Sequence, residues 1–309
     1  MAQNIQFKKI SQCFLCGSKK RVLKYKINSF KIKFQYKQCL KCGMFYMDPM
    51  VSRASVPKLY EKGYYTGEAD YSYFDESKNK KVVIAARLSQ VKNISKFVNL
   101  NNARLLDIGC SFGGFLEAVS KLYPSCDLYG TEISDFAYHH LKKNSKTKIF
   151  KGDINQTNFP PQFFDVITML EVIEHLPSPR KDLGTVQKLL KPGGLLVIQT
   201  PNVGSLEARI KKGRFTNFLP GHLVLFSRKT LRQLLKRAGF KVKKLYYVDI
   251  DPLSYSKYKL FQKECKEPSR NLIEHYFRFI CQLFQTLIGH INFGNFSIAG
   301  GMTCYATKS

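Results

Sequence analysis

The spacing of apolar residues changes along the chain, and each change marks an element. Between Lys24 and Tyr36 polar and apolar residues alternate (Lys24-Tyr25-Lys26-Ile27, then Phe34-Gln35-Tyr36). That period predicts short, half-buried strands. From Val82 to Val98 the residues Ile84, Leu88, Val91, Ile94 and Val98 recur at helical spacing. Beyond residue 100, short apolar runs take turns with amphipathic stretches. Arg104-Leu105-Leu106-Asp107-Ile108-Gly109 reads as a buried strand ending in a glycine turn, and Phe115 to Tyr123 as the helix after it. Strands are predicted over 127–132, 148–150, 164–170 and 195–200, with helices from Ser134 and over about 180–190. Lys191-Pro192-Gly193-Gly194 stops the second of these helices. Ser227 caps a helix over 230–238, which Gly239 closes before two last strands, 240–248 and 302–307. Strands alternating with helices predict a parallel, doubly wound α/β sheet.

The 309 residues suit about two domains and a sizeable core. At 44% hydrophobic and 23% charged, the composition excludes a wholly disordered or collagen-like chain. No uncharged run reaches transmembrane length, and Met1 to Ile10 lacks the apolar core of a signal peptide. A soluble, cytoplasmic protein is expected. The net charge of +28 is uneven: +14 over residues 1–100, +1 over 101–200 and +13 over 201–309. Basic flanks around a near-neutral centre attract anions, whether a phosphorylated small molecule, RNA or an anionic lipid surface. A plain compositional bias toward Lys, in a chain without Trp, is the competing explanation.

Four of the nine cysteines form two pairs, Cys13-Phe14-Leu15-Cys16-Gly17 and Cys39-Leu40-Lys41-Cys42-Gly43. Each C-x2-C pair turns two thiolates toward one ion, and the following glycine tolerates the turn beneath it. Four thiolates suit tetrahedral Zn²⁺, in a small ribbon spanning about residues 1–50. A disulfide framework suits a secreted chain better, a redox C-x-x-C needs one pair, and an iron–sulfur cluster is the remaining alternative. With all four ligand positions filled, the expected zinc is structural. Cys110, Cys126, Cys265, Cys281 and Cys304 show no pairing pattern and read as small buried hydrophobes.

The glycine turn decides the cofactor class. Leu105-Leu106-Asp107-Ile108-Gly109-Cys110-Ser111-Phe112-Gly113-Gly114 closes a strand and opens a helix, where open α/β sheets bind ligands. Ser111 replaces the middle glycine of a dinucleotide fingerprint. Asp107 is placed to accept from a cationic amine. Glu132 ends the next strand, 23 residues beyond Gly109, where a carboxylate grips ribose hydroxyls. Asp153 follows the third strand, where an acid can accept from an adenine amine. Amine, ribose and adenine together describe S-adenosylmethionine.

On these residues the chain resembles the class I S-adenosylmethionine-dependent methyltransferases, in particular those with an N-terminal four-cysteine zinc ribbon. Further matching segments are Leu59-Tyr60…Tyr64-Tyr65, Glu171-Val172-Ile173-Glu174-His175-Leu176, Lys191-Pro192-Gly193-Gly194, Thr200-Pro201-Asn202 and Gly221-His222-Leu223. The resemblance implies a Rossmann-like, seven-stranded methyltransferase sheet over about 101–309. A helical connector and lid over 51–100 would join it to the ribbon. It also implies cofactor contacts from Asp107, Gly109, Cys110, Gly113, Glu132, Asp153, Ile154, Glu171 and Tyr65. Such enzymes act on sugars, quinones and RNA, so the resemblance leaves the acceptor open.

Methyl transfer needs in-line alignment, and a hydroxyl or carbon acid also needs a base. Glu171, Glu174 and His175 stand at i, i+3 and i+4, so a helix starting there would put all three on one face. With His222 they resemble a metal site of some O-methyltransferases, where Mg²⁺ would activate an acceptor hydroxyl. In zinc-ribbon sugar methyltransferases, a His in a corresponding loop is a metal-free base candidate, here His222. Finally, Ile273, Phe277, Ile280, Phe284, Leu287 and Ile291 form an apolar stripe. It predicts a lid helix over about 271–291, or a helix lying at a membrane interface. The leading expectation is methylation of an anionic nucleotide-sugar or glycan precursor. RNA 2′-O- or quinone-type O-methylation, and a non-catalytic zinc-binding interaction protein, are the alternatives.

Overall fold

The computed structural model describes residues 5–29, 32–66, 80–144, 147–248 and 300–309. The strands predicted between Lys24 and Tyr36 are present as β2 (Arg21–Ser29) and β3 (Ile32–Cys39), and the unpredicted β1 (Phe7–Lys8), β4 (Phe45–Met47) and β5 (Met50–Val51) accompany them. β2 and β3 pair antiparallel from Arg21↔Cys39 to Ser29↔Ile32, and β4 continues the sheet. The two cysteine knuckles close alike. Gly17 N donates to Cys13 O (2.7 Å) and Gly43 N to Cys39 O (2.9 Å). Both glycines hold left-handed φ, +72° and +82°, which a side chain would oppose.

A 3-10 segment, Arg53–Tyr60, leads to α1 (Lys62–Thr66) and α2 (Lys80–Ile94). The predicted helix over 82–98 therefore ends four residues early. The large sheet is built from β6 (Arg104–Ile108), β7 (Asp127–Glu132), β8 (Lys148–Lys151), β9 (Phe164–Leu170) and β10 (Leu190–Pro201). β12 (Phe240–Val248) and β13 (Gly301–Lys308) complete it. Between the strands lie α3 (Gly114–Leu122), α4 (Asp135–Asn144), α5 (Pro179–Leu189), α6 (Leu206–Lys211) and α7 (Arg228–Arg237). The strand order is β12-β13-β10-β9-β6-β7-β8.

One feature corrects the expectation of a wholly parallel sheet. β13 inserts between β10 and β12 and runs antiparallel to both. Only the other six strands point one way, so the sheet is mixed. Alternation of elements predicts βαβ crossovers, whereas the direction of a strand arriving from a distant segment is not written in its period. The Lys191–Gly194 stretch is also more strand-like than expected. β10 starts at Leu190 and absorbs that stretch as a register irregularity against β9. The predicted lid helix over 271–291 lies outside the described residues.

The ribbon is joined to the large sheet through backbone. Strand β11 (Val224–Leu225) pairs antiparallel with β4, Val224 opposite Tyr46 and Leu225 opposite Phe45. One hydrophobic cluster runs from Cys13, Leu15 and Tyr36 through Val224 and Phe226 to Ile198 and Cys304. Phe226 is fully buried at this junction. Phe226→Ala should cost about 3–5 kcal/mol of stability. Amide exchange should accelerate in β3 and in β10 together. Acceleration confined to β10 would mean that the ribbon folds on its own.

Candidate active site

The glycine turn after β6 is shaped by close packing. Gly109 and Gly113 hold φ of +70° and +76°. A Cβ on Gly109 would stand 2.7 Å from Val172 Cγ2, and one on Gly113 would stand 2.7 Å from Leu141 Cδ1. Gly109 N and Cys110 N both donate to Thr131 O, tying the turn to β7. Ser111, in place of the usual glycine, takes a left-handed φ of +50°. Its hydroxyl is buried without a protein hydrogen-bond partner. A buried orphan hydroxyl in this turn fits a polar ligand.

The three acids stand at the ends of three adjacent strands. Asp107 is buried on β6 and accepts from Thr168 Oγ1 on β9 (2.6 Å). Glu132 is buried at the end of β7 and accepts from Ser111 N (2.9 Å) and Ser134 N (2.8 Å). Asp153, after β8, caps the 3-10 turn Ile154–Gln156 by accepting from Asn155 N (2.7 Å). Its other oxygen accepts from Arg53 Nη1 (3.0 Å). Ile154 is buried beside it. Tyr65 is buried edge-on against Phe112 of the glycine turn, with ring centroids 5.2 Å apart.

The segment after β9 departs from the expected helix. Glu171 takes a left-handed φ of +59°, and its N–H bonds to Gln199 O on β10. The chain then makes a 3-10 turn, Ile173–His175. Glu171 therefore does not share one helical face with Glu174 and His175, because its backbone still belongs to the strand ladder. Folding instead gathers Glu174, His175 and His222, whose ligand-capable atoms all lie within 4.8 Å of one another. Glu171 stays close enough for its charge to bear on Glu174. Burial first, and that charge second, push the Glu174 carboxyl well above the usual carboxylate range. Thr200 Oγ1 donates to Glu174 Oε2 (2.9 Å).

Each imidazole is oriented by a main-chain carbonyl. His222 Nδ1 is 2.7 Å from Asn217 O, and His175 Nδ1 is 2.8 Å from Gly221 O. A carbonyl only accepts, so each neutral ring carries its proton on Nδ1 and leaves the Nε2 lone pair open. Tyr60 OH is a second partner of His175 Nδ1, at 2.7 Å. The two rings meet edge to face at 4.7 Å. Burial pushes His175 down to about 4. Burial, then the neighbouring His175, hold His222 well below its ordinary value. Both rings are neutral at pH 7.

In the ribbon the four cysteine sulfurs also converge within 4.8 Å. Cys13 and Cys42 Sγ are 3.6 Å apart, Cys16 and Cys39 Sγ 3.5 Å, far longer than the roughly 2 Å of a disulfide. Burial raises Cys13 to about 11. Burial works to raise Cys39, but the N–H groups of Cys42 and Lys41, together with the thiols of Cys16 and Cys42, outweigh it and lower the thiol to about 7.

Several residues around the site carry no sequence signal. Thr168, Thr200, Ser134, Tyr60 and Arg53 act through partners that are mostly more than 60 positions away. No motif spacing could have found these contacts, although Tyr60 and Thr200 fall in segments singled out by resemblance and Ser134 was read as a helix start.

An open sheet whose strand ends carry a glycine turn with acids suited to an amine, a ribose and a purine defines the class I S-adenosylmethionine-dependent methyltransferases. The methyltransferase-domain family matches residues 83–245, just over half of the chain, and the chain belongs to that family. A sterol 24-C-methyltransferase of Candida albicans is 29% identical over 158 residues, covering 47% of this chain and 42% of that protein. A ubiquinone biosynthesis O-methyltransferase of Coxiella burnetii is 30% identical over 117 residues, covering 37% of this chain and 50% of that protein. The chain thus spans about half the length of the curated relatives it matches. The crystal structure of an S-adenosylmethionine-dependent methyltransferase from Archaeoglobus fulgidus has the same fold. Its TM-score is 0.50 at 24% identity, over 74% of this chain and 94% of that one. No helix among the described residues is long and apolar enough to cross a membrane.

The buried cluster makes stability depend on pH in two opposed ways. The imidazole of His175 falls from 6.5 to about 4 on folding, so its contribution is present above pH 6.5 and lost as pH falls toward 4. Glu174 rises above 4.5 on folding, so its contribution is present below pH 4.5 and lost as pH rises. In chelator-treated protein, His175→Gln should flatten the acid limb of the melting temperature between pH 6.5 and 4. Glu174→Gln should flatten the opposite slope above pH 4.5. Unchanged slopes in both variants would contradict the burial of these groups.

Proposed function

We propose that the chain transfers the sulfonium methyl of S-adenosylmethionine to a hydroxyl or acidic carbon of a small anionic acceptor, with His222 taking the proton. The observation that carries this is the buried Glu174–His175–His222 group on the loops that follow β9 and β10. Asp107 would accept from the methionine amine, Glu132 from the ribose hydroxyls, and Asp153 from the adenine amine. Ile154 and Tyr65 would pack the cofactor's apolar surfaces, and the backbone of Gly109, Cys110 and Gly113 would border it. Ser111 Oγ supplies a polar contact in the same cradle.

In this mechanism the acceptor atom approaches the methyl carbon opposite the carbon–sulfur bond. That bond breaks as the new one forms, and the departing cofactor becomes a neutral thioether. Positioning provides most of the acceleration. His222 Nε2 takes the acceptor's proton, and the Nδ1 bond to Asn217 O holds the ring in the tautomer that can do so. Burial favours the neutral ring, the form that can accept a proton, and also makes it a weaker base, so alignment with the acceptor must carry the transfer.

A second reading is favoured by the same geometry. Two imidazoles with Nδ1 engaged by carbonyls and Nε2 open, beside a carboxylate, form a ligand set for a divalent cation such as Mg²⁺. Glu174, His175 and His222 would hold it, with Glu171 alongside. When bound, such a cation lowers the pKa of an acceptor hydroxyl.

The acceptor class follows from charge. Basic flanks favour a phosphorylated molecule, and a nucleotide-sugar or glycan precursor meets that condition. The relatives' names add a sterol carbon and a ubiquinone-precursor oxygen to the candidates, and RNA suits the same charge. Strand-end acids in all three positions argue against a non-catalytic binding protein.

We also infer a structural zinc at Cys13, Cys16, Cys39 and Cys42. A tetrahedron with Zn–S bonds of about 2.3 Å has edges of about 3.8 Å. The two measured sulfur pairs, 3.6 and 3.5 Å, lie close to that edge.

Labelled S-adenosylmethionine incubated with nucleotide-sugars, quinone precursors and RNA should label one class. On that acceptor, His222→Ala should lower turnover by about 10²–10⁴-fold with cofactor affinity nearly unchanged. Near-wild-type turnover would remove His222 from the chemistry. If the cation reading holds, chelation abolishes turnover and Mg²⁺ restores it. Purified protein should also carry one zinc per chain. Cys39→Ser should lose that zinc and lower the melting temperature. Metal-free protein that melts like wild type would exclude the zinc.

A further inference from the structure

The 3-10 segment Arg53–Tyr60 leaves the ribbon and runs beside the strand ends where the cofactor acids stand. Its two ends are anchored to different parts of the site. Tyr60 O accepts from Ser134 Oγ (2.6 Å), and Ser134 N in turn donates to Glu132 Oε1 (2.8 Å). At the other end Arg53 bridges two acids. Its Nη1 donates to Asp153 Oδ2 (3.0 Å), and its Nη2 reaches both oxygens of Asp182 (2.8 Å each). Asp182 on α5 is fully buried and also accepts from Asn155 Nδ2 (2.5 Å). Asn155 is held from a third side by Thr185 Oγ1 (2.7 Å). Thus Asp153, Asn155, Asp182 and Arg53 form one connected network, whose cation among the described residues is contributed by the connector.

The network has more order than a surface ion pair requires. A guanidinium is a planar fork, so bonding two carboxylates at once fixes where each can stand. Asp182 is anchored on a helix, and Asp153 on a short turn after an edge strand. Arg53 therefore transfers the rigidity of α5 to the turn. The clamp does not use up the Asp153 carboxylate. An ionised carboxylate has about four acceptor sites, and Asn155 N and Arg53 occupy one on each oxygen. The Asp153 side chain remains 20% exposed, so a donor can still reach it.

We propose that Arg53 is a positioning residue for purine recognition: by clamping Asp153 to Asp182, it aims the Asp153 carboxylate at the adenine amine. The proposal rests on the assignment of Asp153 to adenine made above. An aimed carboxylate accepts from the 6-amino group of adenine and repels the 6-oxo group of hypoxanthine. A loosely held one turns aside and discriminates less. Arg53 thereby ties a segment of the ribbon connector to cofactor specificity.

The test compares binding of S-adenosylhomocysteine and S-inosylhomocysteine to the full chain by calorimetry. The two ligands differ in the purine 6-substituent and its adjoining ring proton. Wild type should prefer the adenosyl form by at least about tenfold, on the scale of one specific hydrogen bond. Asp153→Ala should erase the preference. Arg53→Gln should reduce it to within about threefold, while affinity for the methionine end alone, read with free methionine as competitor, stays unchanged. Arg53→Lys retains the charge without the fork and should lose more than half of the preference. It serves as the readout should Arg53→Gln fail to fold. If Asp153→Ala erases the preference but both Arg53 variants keep it, Arg53 has no positioning role. If Asp153→Ala itself keeps the preference, the adenine assignment is wrong and the role proposed for Arg53 falls with it.

Discussion

The backbone ladder between β4 and β11 sets where the imidazole of His222 stands. β11 begins two residues after His222, and its partner strand belongs to the cysteine ribbon. Leu223, between them, donates its N–H to Glu174 O and accepts from Met47 N. Tyr36 OH, from the ribbon, donates to His222 O at 2.6 Å. Buried main-chain groups must be satisfied, and here the ribbon satisfies those of the loop that carries the imidazole. On the far side Arg237 of α7 donates to Leu15 O inside the first cysteine knuckle. The ribbon is thus a buttress of the active site. A ribbon of this size buries too little surface to stand firmly alone, so whatever its four convergent cysteines hold also bears on the loop that carries His222.

The second organising constraint is the direction of the parallel strands. β6, β7 and β8 present their carboxyl ends side by side, so Asp107, Glu132 and Asp153 become neighbours although the sequence separates them by 20 residues or more. Each is then locked by an unrelated donor: Thr168 Oγ1, two main-chain N–H groups, and the Arg53 fork. Carboxylates locked in this way would lose little entropy on accepting a ligand's donors.

Periodicity and spacing made the glycine turn, the strand-end acids and the cysteine knuckles legible, because all depend on residues near each other in sequence. The knuckles needed a glycine with positive φ after the second cysteine, and Gly17 and Gly43 stand there. Three features were not legible. The antiparallel β13 pairs with strands more than 50 residues away, and period alone carries no direction. Glu171 looked helical by i, i+3, i+4 spacing, but ladder pairing to Gln199 overrode that pattern. Arg53 was one basic residue among 50, and nothing local separates it from its solvated neighbours. Long-range partners decide all three.

The active-site cluster obeys one electrostatic condition. Glu171, Glu174, His175 and His222 gather where water is largely excluded, and uncompensated charge there is costly. Burial answers this by driving Glu174 toward its neutral acid and both imidazoles toward their neutral bases. A neutral His222 is the form that would accept a proton in the proposed mechanism, while the same burial weakens it as a base. A divalent cation would satisfy the same condition from outside, favouring the ionised Glu174 carboxylate and engaging the open Nε2 atoms. In both cases the ring orientations are needed: Asn217 O holds Nδ1 of His222, and Gly221 O with Tyr60 OH holds Nδ1 of His175, so each ring is left to present Nε2. Both carbonyls lie within the loop whose following strand the ribbon pairs, so the orientation of the two imidazoles is set by the N-terminal sheet as much as by the large sheet.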